Sequence, residues 1–148
     1  MSYVSARFSP ESAAELHEFA ETLGLPNIVP AKDMHVTVFA SQTALPDGII
    51  STTDVEYCCR GRTLKYFGCR HQMLALVLHT PELCRINSLI SATSGIKHKH
   101  GDYIAHVTLT YDVNTWCGHI NTDVPLMDIR KIVVEPFNDD WTSGTNPG

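Results

Sequence analysis

The tripeptide His-x-Thr occurs twice in this 148-residue chain, as His35-Val36-Thr37 and as His106-Val107-Thr108. Each copy lies in a β-branched, apolar run, about Met34 to Ala40 and Ile104 to Tyr111, that reads as a strand. Alternate residues of a strand share a face. His35 and Thr37 therefore project together, as do His106 and Thr108, while Val36, Val38, Val107 and Leu109 pack behind them. A fold that lays the two strands side by side brings two imidazoles and two hydroxyls to one cleft. With eight His in the chain, roughly one His-x-Ser/Thr match is expected by accident, so a single copy would carry little. Two copies, both in strand context and one in each half, carry much more. The plain alternative is a pair of strand histidines, each satisfied by a neighbouring hydroxyl or carbonyl.

The length suits one domain with its own core, over residues 1–148. A hydrophobic content of 43% and a charged content of 18% fit an ordinary globular chain. No apolar run is long enough to span a bilayer, and the N-terminal Met-Ser-Tyr-Val-Ser-Ala-Arg-Phe lacks the basic and apolar regions of a signal peptide. A membrane partner is not expected. The formal net charge of −5 argues against coating long nucleic acid, which takes a broad basic surface. A small phosphate ligand needs only a local positive site. Arg60, Arg62, Lys65 and Arg70 cluster in sequence and read as the charged guard of an edge strand. Five Cys without a Cys-x-x-Cys pair read as reduced thiols in a cytoplasm. His98 and His100 are a possible metal pair, but no second pair stands at ligand spacing, so neither a metal nor another cofactor is expected.

Along the chain, Tyr3 to Phe8 reads as a strand, and Ser9-Pro10 as the cap and first residue of a helix closed by Gly24. Pro26 and Pro30 bound a loop before the first His strand. Further strands are expected at Thr53 to Cys58, Arg62 to Phe67 and Met73 to His79, then a helix opened by Thr80-Pro81-Glu82 and ending near Gly95. After the second His strand, a last strand spans Ile129 to Phe137, and the tail from Thr142 to Gly148 is expected to fray. Consecutive strands at turn-rich spacing with only two helices favour α+β with antiparallel sheet. Tyr103 and Tyr111 flank the second motif and read as structural; His71 and His79 read as edge residues. No Gly-x-Ser-x-Gly elbow is present.

Two positioned imidazoles can cut a ribonucleotide phosphodiester without a metal. One takes a proton from the attacking oxygen, and the other gives one to the leaving 5′ oxygen. The hydroxyls of Thr37 and Thr108 would donate to the non-bridging oxygens as charge builds. The attacking oxygen is a ribose 2′-OH or a water, and either His can be the base.

The paired motifs resemble the 2H phosphoesterase superfamily, which carries one His-x-Thr/Ser in each lobe of a two-lobed α+β domain. The chain is similar in particular to the phage anti-CBASS nucleases, which destroy the cyclic oligonucleotide signals of bacterial immunity. The likeness runs from Tyr-Val-Ser-Ala-Arg-Phe, through Gly24 to Pro30, to Gly-Asp-Tyr-Ile-Ala-His-Val-Thr-Leu-Thr-Tyr, and ends with Glu135-Pro136-Phe137 and Trp141. It implies antiparallel sheets in pseudo-twofold halves with helices outside. The activity it implies is hydrolysis of 3′–5′ bonds in cyclic di- and trinucleotides, in the cytoplasm of an infected bacterium. It also implies that Tyr3 stacks on a base, that Glu135 contacts adenine, and that Trp141 holds nucleotide outside the active site. The family's aromatic lid falls near Tyr66 or Phe67. The alternatives are a 2′,3′-cyclic phosphodiesterase of RNA ends and a non-catalytic cyclic-nucleotide sponge.

Overall fold

Ser9 and Pro10 end the first strand and start the first helix. The Ser9 hydroxyl accepts from the Ser12 amide at 3.1 Å, and Pro10 fills the position where a missing amide costs nothing. In the computed structural model, which describes residues 2–68, 70–98, 102–114, 116, 118 and 123–136, β1 (Ser2–Phe8) leads into α1 (Pro10–Thr22) and a 3-10 turn (Ala31–Asp33). There follow β2 (His35–Ser41), β3 (Thr53–Cys59), β4 (Gly61–Phe67), β5 (Met73–His79), α2 (Pro81–Ser94), β6 (His106–Thr110) and β7 (Met127–Pro136). Gly24 and Gly95, with φ of 72° and 73°, close the two helices in the left-handed region that glycine enters without strain. Every strand and helix expected from the sequence is present. β7 begins earlier than Ile129, and β6 is shorter at both ends than its apolar run.

The strands form one antiparallel sheet in the order β3-β7-β1-β2-β6-β5-β4. Where the resemblance implied separate sheets, a single seven-stranded sheet is found, joined at a β2/β6 seam. A strand–helix–strand unit occurs on each side of that seam, β1-α1-β2 and β5-α2-β6, each with its two strands paired. Leu16, Phe19 and Ala20 of α1 and Leu83 and Ile90 of α2 join one core with Val4, Ala6, Val36, Leu76, Val107 and Leu109. Because Val36 and Val107 belong to that core, their neighbours on β2 and β6 project from the other face. At one edge of the sheet lies β4, which carries Arg62 and Lys65 as an edge guard should.

A β-bulge interrupts the β1/β2 pair: Val4 faces Phe39 but Ser5 faces Thr37, leaving Val38 as the extra residue. Its carbonyl accepts from Asn87 Nδ2 of α2 at 2.7 Å, so a buried side chain of the second unit holds the irregular point of the first. Just beyond, the Ala40 amide donates to His98 Nδ1 at 3.1 Å, and His98 packs against Phe39 and Tyr103. His98 thereby serves as a neutral clamp on β2; His100 lies outside the described residues.

Two consequences are open to measurement. Asn87→Ala leaves the Val38 carbonyl buried without its donor, and should lower unfolding free energy by about 1–3 kcal/mol, read as a lower urea midpoint with unchanged far-UV circular dichroism. Cys58, Cys59 and Cys84 are free thiols, and Cys59 is 1% exposed. Burial pushes the Cys59 thiol up to about 11. Alkylation by iodoacetamide at pH 8 should mark Cys58 and Cys84 on mass spectrometry and spare Cys59 until the chain is unfolded.

Candidate active site

The seam between β2 and β6 is set by Val36 facing Val107. In an antiparallel pair that register puts His35 across from Thr108 and Thr37 across from His106. Each imidazole thus stands beside the hydroxyl of the other motif. A small cleft opens over them, lined by Val29, Asp33, His35, His106, Thr108 and Tyr111. The loop before β2 closes one side, where the Val29 amide donates to the Leu109 carbonyl at 2.8 Å. Thr37 and Thr108 are buried, at 6% and 7% exposure.

Both rings are held in the same way. His35 Nδ1 lies 2.8 Å from the carbonyl of Asp33, and His106 Nδ1 lies 2.8 Å from the carbonyl of Ile104. A carbonyl only accepts, so Nδ1 is the donor in each case. The nitrogen left to exchange protons is Nε2 in both rings.

Around this pair stands a ring of aromatic and charged groups. The Tyr3 hydroxyl is 2.6 Å from His35 Nε2 and 2.7 Å from Thr37 Oγ1. Burial raises the Tyr3 phenol well above the usual tyrosine range, so it stays protonated. Across the seam, the Tyr111 hydroxyl bonds to Thr108, and its pKa is also raised by burial. Phe67 stacks on His106, with centroids 4.8 Å apart and planes at 23°, and Lys65 Nζ lies 5.7 Å from the centre of the same phenyl ring. Arg7 faces His35 in the β1/β2 register and pairs with Glu135 at 3.3 Å. Ser5 lies between Tyr3 and Arg7 on β1, fully buried, and its hydroxyl has no hydrogen-bond partner among the described residues.

Of the residues singled out from sequence, His35, Thr37, His106, Thr108 and Tyr3 come together. Tyr3 is only 1% exposed, so here its hydroxyl binds the first motif and its ring face is not offered to a base. Glu135 is opposite Tyr3 on β7, held by Arg7. Tyr66 does not join them. It alternates with Phe67 on β4 and lines a separate hollow with Arg70, Gln72 and Trp116, whereas Phe67 reaches His106. Trp141 lies outside the described residues. Tyr103 is structural, as expected, donating to the Thr37 carbonyl at 2.8 Å.

Arg7 was not singled out from the sequence, and Tyr111, read there as structural, lines the cleft. Arg7 was legible, since period 2 places it on the face of Tyr3. Tyr111 was not: alternation turns it away from Thr108, but β6 ends at Thr110 and the bend brings it back to the cleft.

A family model described as Anti-CBASS protein Acb1 matches residues 1–144. The chain is 29% identical over 139 residues to Anti-CBASS protein Acb1 of Enterobacteria phage T4, covering 94% of this chain and 90% of that protein. To the protein of that name from Vibrio phage KVP40 it is 30% identical over 144 residues, covering 97% and 92%. Among solved structures, E. coli LigT complexed with 3′-AMP superposes with a TM-score of 0.62 at 11% identity, covering 90% of this chain and 85% of that one. A crystal structure of a phosphoesterase superposes with a TM-score of 0.59 at 12% identity, over 90% and 85%. These likenesses establish a LigT-like fold, and the match along nearly the whole chain places it by sequence: it belongs to the Acb1 family of anti-CBASS proteins.

Proposed function

We propose that the protein is a metal-independent phosphodiesterase that opens cyclic di- and trinucleotides, such as 3′,3′-cyclic GMP–AMP, at their 3′–5′ bonds inside an infected bacterium. The observation that carries this reading is the pair of imidazoles anchored alike through Nδ1 on the two sides of one seam, each with a threonine hydroxyl across from it. A base and an acid are needed on opposite sides of a phosphorus undergoing in-line displacement, and two imidazoles whose Nε2 is the proton-exchanging nitrogen supply both. In this reading Thr37 and Thr108 donate to the two non-bridging oxygens, where charge grows as the nucleophile attacks. The family's anti-CBASS role fits a cyclic-nucleotide ligand. Arg7 and Lys65 supply local positive charge in a chain of net charge −5, enough for a small anion. In this reading Glu135 accepts from an adenine amine, and Arg7 holds its carboxylate ready.

The test is incubation with 3′,3′-cyclic GMP–AMP in excess EDTA, with products followed by chromatography. A linear product is expected. His35→Ala and His106→Ala should each lower turnover by about 100-fold or more while circular dichroism stays unchanged. Recovery of intact bound ligand after long incubation would instead identify a sponge. Turnover confined to RNA with a 2′,3′-cyclic end would identify an RNA-end enzyme. Parent activity in the double variant would overturn the two-histidine mechanism.

A further inference from the structure

The register of the sheet lays one position from every strand in a single line across the face that carries the motifs. His35 of β2 faces Arg7 of β1, Arg7 faces Lys131 of β7, and Lys131 faces Asp54 of β3. Beyond the seam, Thr108 of β6 faces Ala75 of β5, which faces Lys65 of β4. Directly opposed residues of antiparallel strands project from the same side, so Arg7 and Lys131 stand beside His35 on the cleft face. Neighbouring strands lie roughly 5 Å apart, which puts the backbone at Lys131 only about 10 Å from that at His35.

The two flanks of the histidine pair are unlike. Outward from His35 come two cations, Arg7 and then Lys131. Outward from His106 come Val77 and then Thr63. Lys65, at the far end of the line, lies 5.7 Å from the centre of the Phe67 ring. Among the described residues, Arg7 makes one polar contact, giving an N–H to Glu135 at 3.3 Å. A guanidinium carries five N–H donors in a planar fork, so most of its donors are left to spare. Lys131 is exposed and, among the described residues, forms no hydrogen bond or ion pair, even with Asp54 opposite. Like charges directly opposite on neighbouring strands repel, and Glu135 offsets only one of the two. An anion lying over the pair removes that repulsion and meets the unused donors.

We infer that Arg7 and Lys131 form an anion subsite beside the reacting centre, which holds the second phosphate of a cyclic dinucleotide while the first lies over the two histidines. The subsite rests on the cyclic-nucleotide part of the proposed function and does not require that the ligand be cut.

A cyclic dinucleotide carries two phosphodiesters in one closed ring, each with a full negative charge, and one of them is presented for reaction at a time. Arg7 meets the non-bridging oxygens of the other through the free part of its fork, and Lys131 adds a point charge from the rim. Val77 and Thr63 offer no equal site beyond His106, so the second phosphate is directed to the β1 side. Arg7 keeps its bond to Glu135 in this arrangement, since a fork with five donors serves a carboxylate and a phosphate together. The subsite therefore favours a ring over a dinucleotide that has a single phosphate.

The test is calorimetric binding of 3′,3′-cyclic GMP–AMP to the His106→Ala protein, which protects the ligand and keeps the line from His35 to Asp54 whole. Added to that background, Lys131→Gln should weaken binding about fivefold and Arg7→Gln about tenfold or more, while Lys131→Arg should stay within about twofold. Lys131 is exposed, so its variants keep the fold, which circular dichroism checks. Guanylyl-3′,5′-adenosine has the same bases and one phosphate, and in both Gln variants its loss should be at least about threefold smaller than that of the ring. Lys131→Gln binding the ring as tightly as the background protein overturns the subsite. So does an equal loss for ring and single-phosphate ligand, or a loss with Lys131→Arg as large as with Lys131→Gln. An unsubstituted protein that binds the ring without cutting it, with the expected losses in the variants, overturns the hydrolase reading and leaves the subsite standing. One that neither binds nor cuts the ring overturns both.

Discussion

The short contact between β2 and β6 is the constraint on which the rest depends. Val36 and Val107 meet there with their side chains in the core. Side-chain period on a strand is 2, so a slip of either strand by one residue would bury that strand's histidine and turn its valine outward. The slip is opposed by loss of the apolar burial of a valine and by desolvation of an imidazole. The same packing that stabilises the centre of the sheet therefore sets the relative placement of the four polar side chains.

Stability and site are tied a second time at the bulge in β2. The extra residue at Val38 reverses the alternation, so that Phe39 faces into the core while Thr37, two residues earlier, faces the other side, where its hydroxyl meets Tyr3. Without it a residue at an even spacing from the motif would share the motif's face, and Phe39 could not reach the core. Asn87 meets the carbonyl this exposes. A polar residue on the buried stripe of a helix is costly unless paired, and here the pairing joins the second helix to the first motif's strand.

Much of this was legible in the chain. β-branched runs gave the His strands, Ser9-Pro10 and Thr80-Pro81 gave the helix starts, and period 2 gave the partnership of each His with its Thr. What the sequence could not give depends on contacts between distant segments. Fusion of the strands into one sheet is decided at a seam with a single register pair. The burial of Tyr3 under His35 follows from a pairing 32 residues apart. Tyr111 enters the cleft because its strand has already ended, where alternation no longer holds. Tyr66 and Phe67 are adjacent and equally aromatic, and only the facing of β4 tells which of them touches His106.

The main-chain carbonyls of Asp33 and Ile104 fix the tautomer of the two histidines. Every amino acid brings a carbonyl, so this element of the proton chemistry is written in the backbone and not in any side chain. Positions 33 and 104 can drift without changing which ring nitrogen works, provided the local path of the chain is kept. Asp33 also lines the cleft, and Ile104 is 43% exposed beside it in sequence to His106. A lineage pressed to meet new ligands could thus alter the rim at these two places while inheriting the reactive centre unchanged.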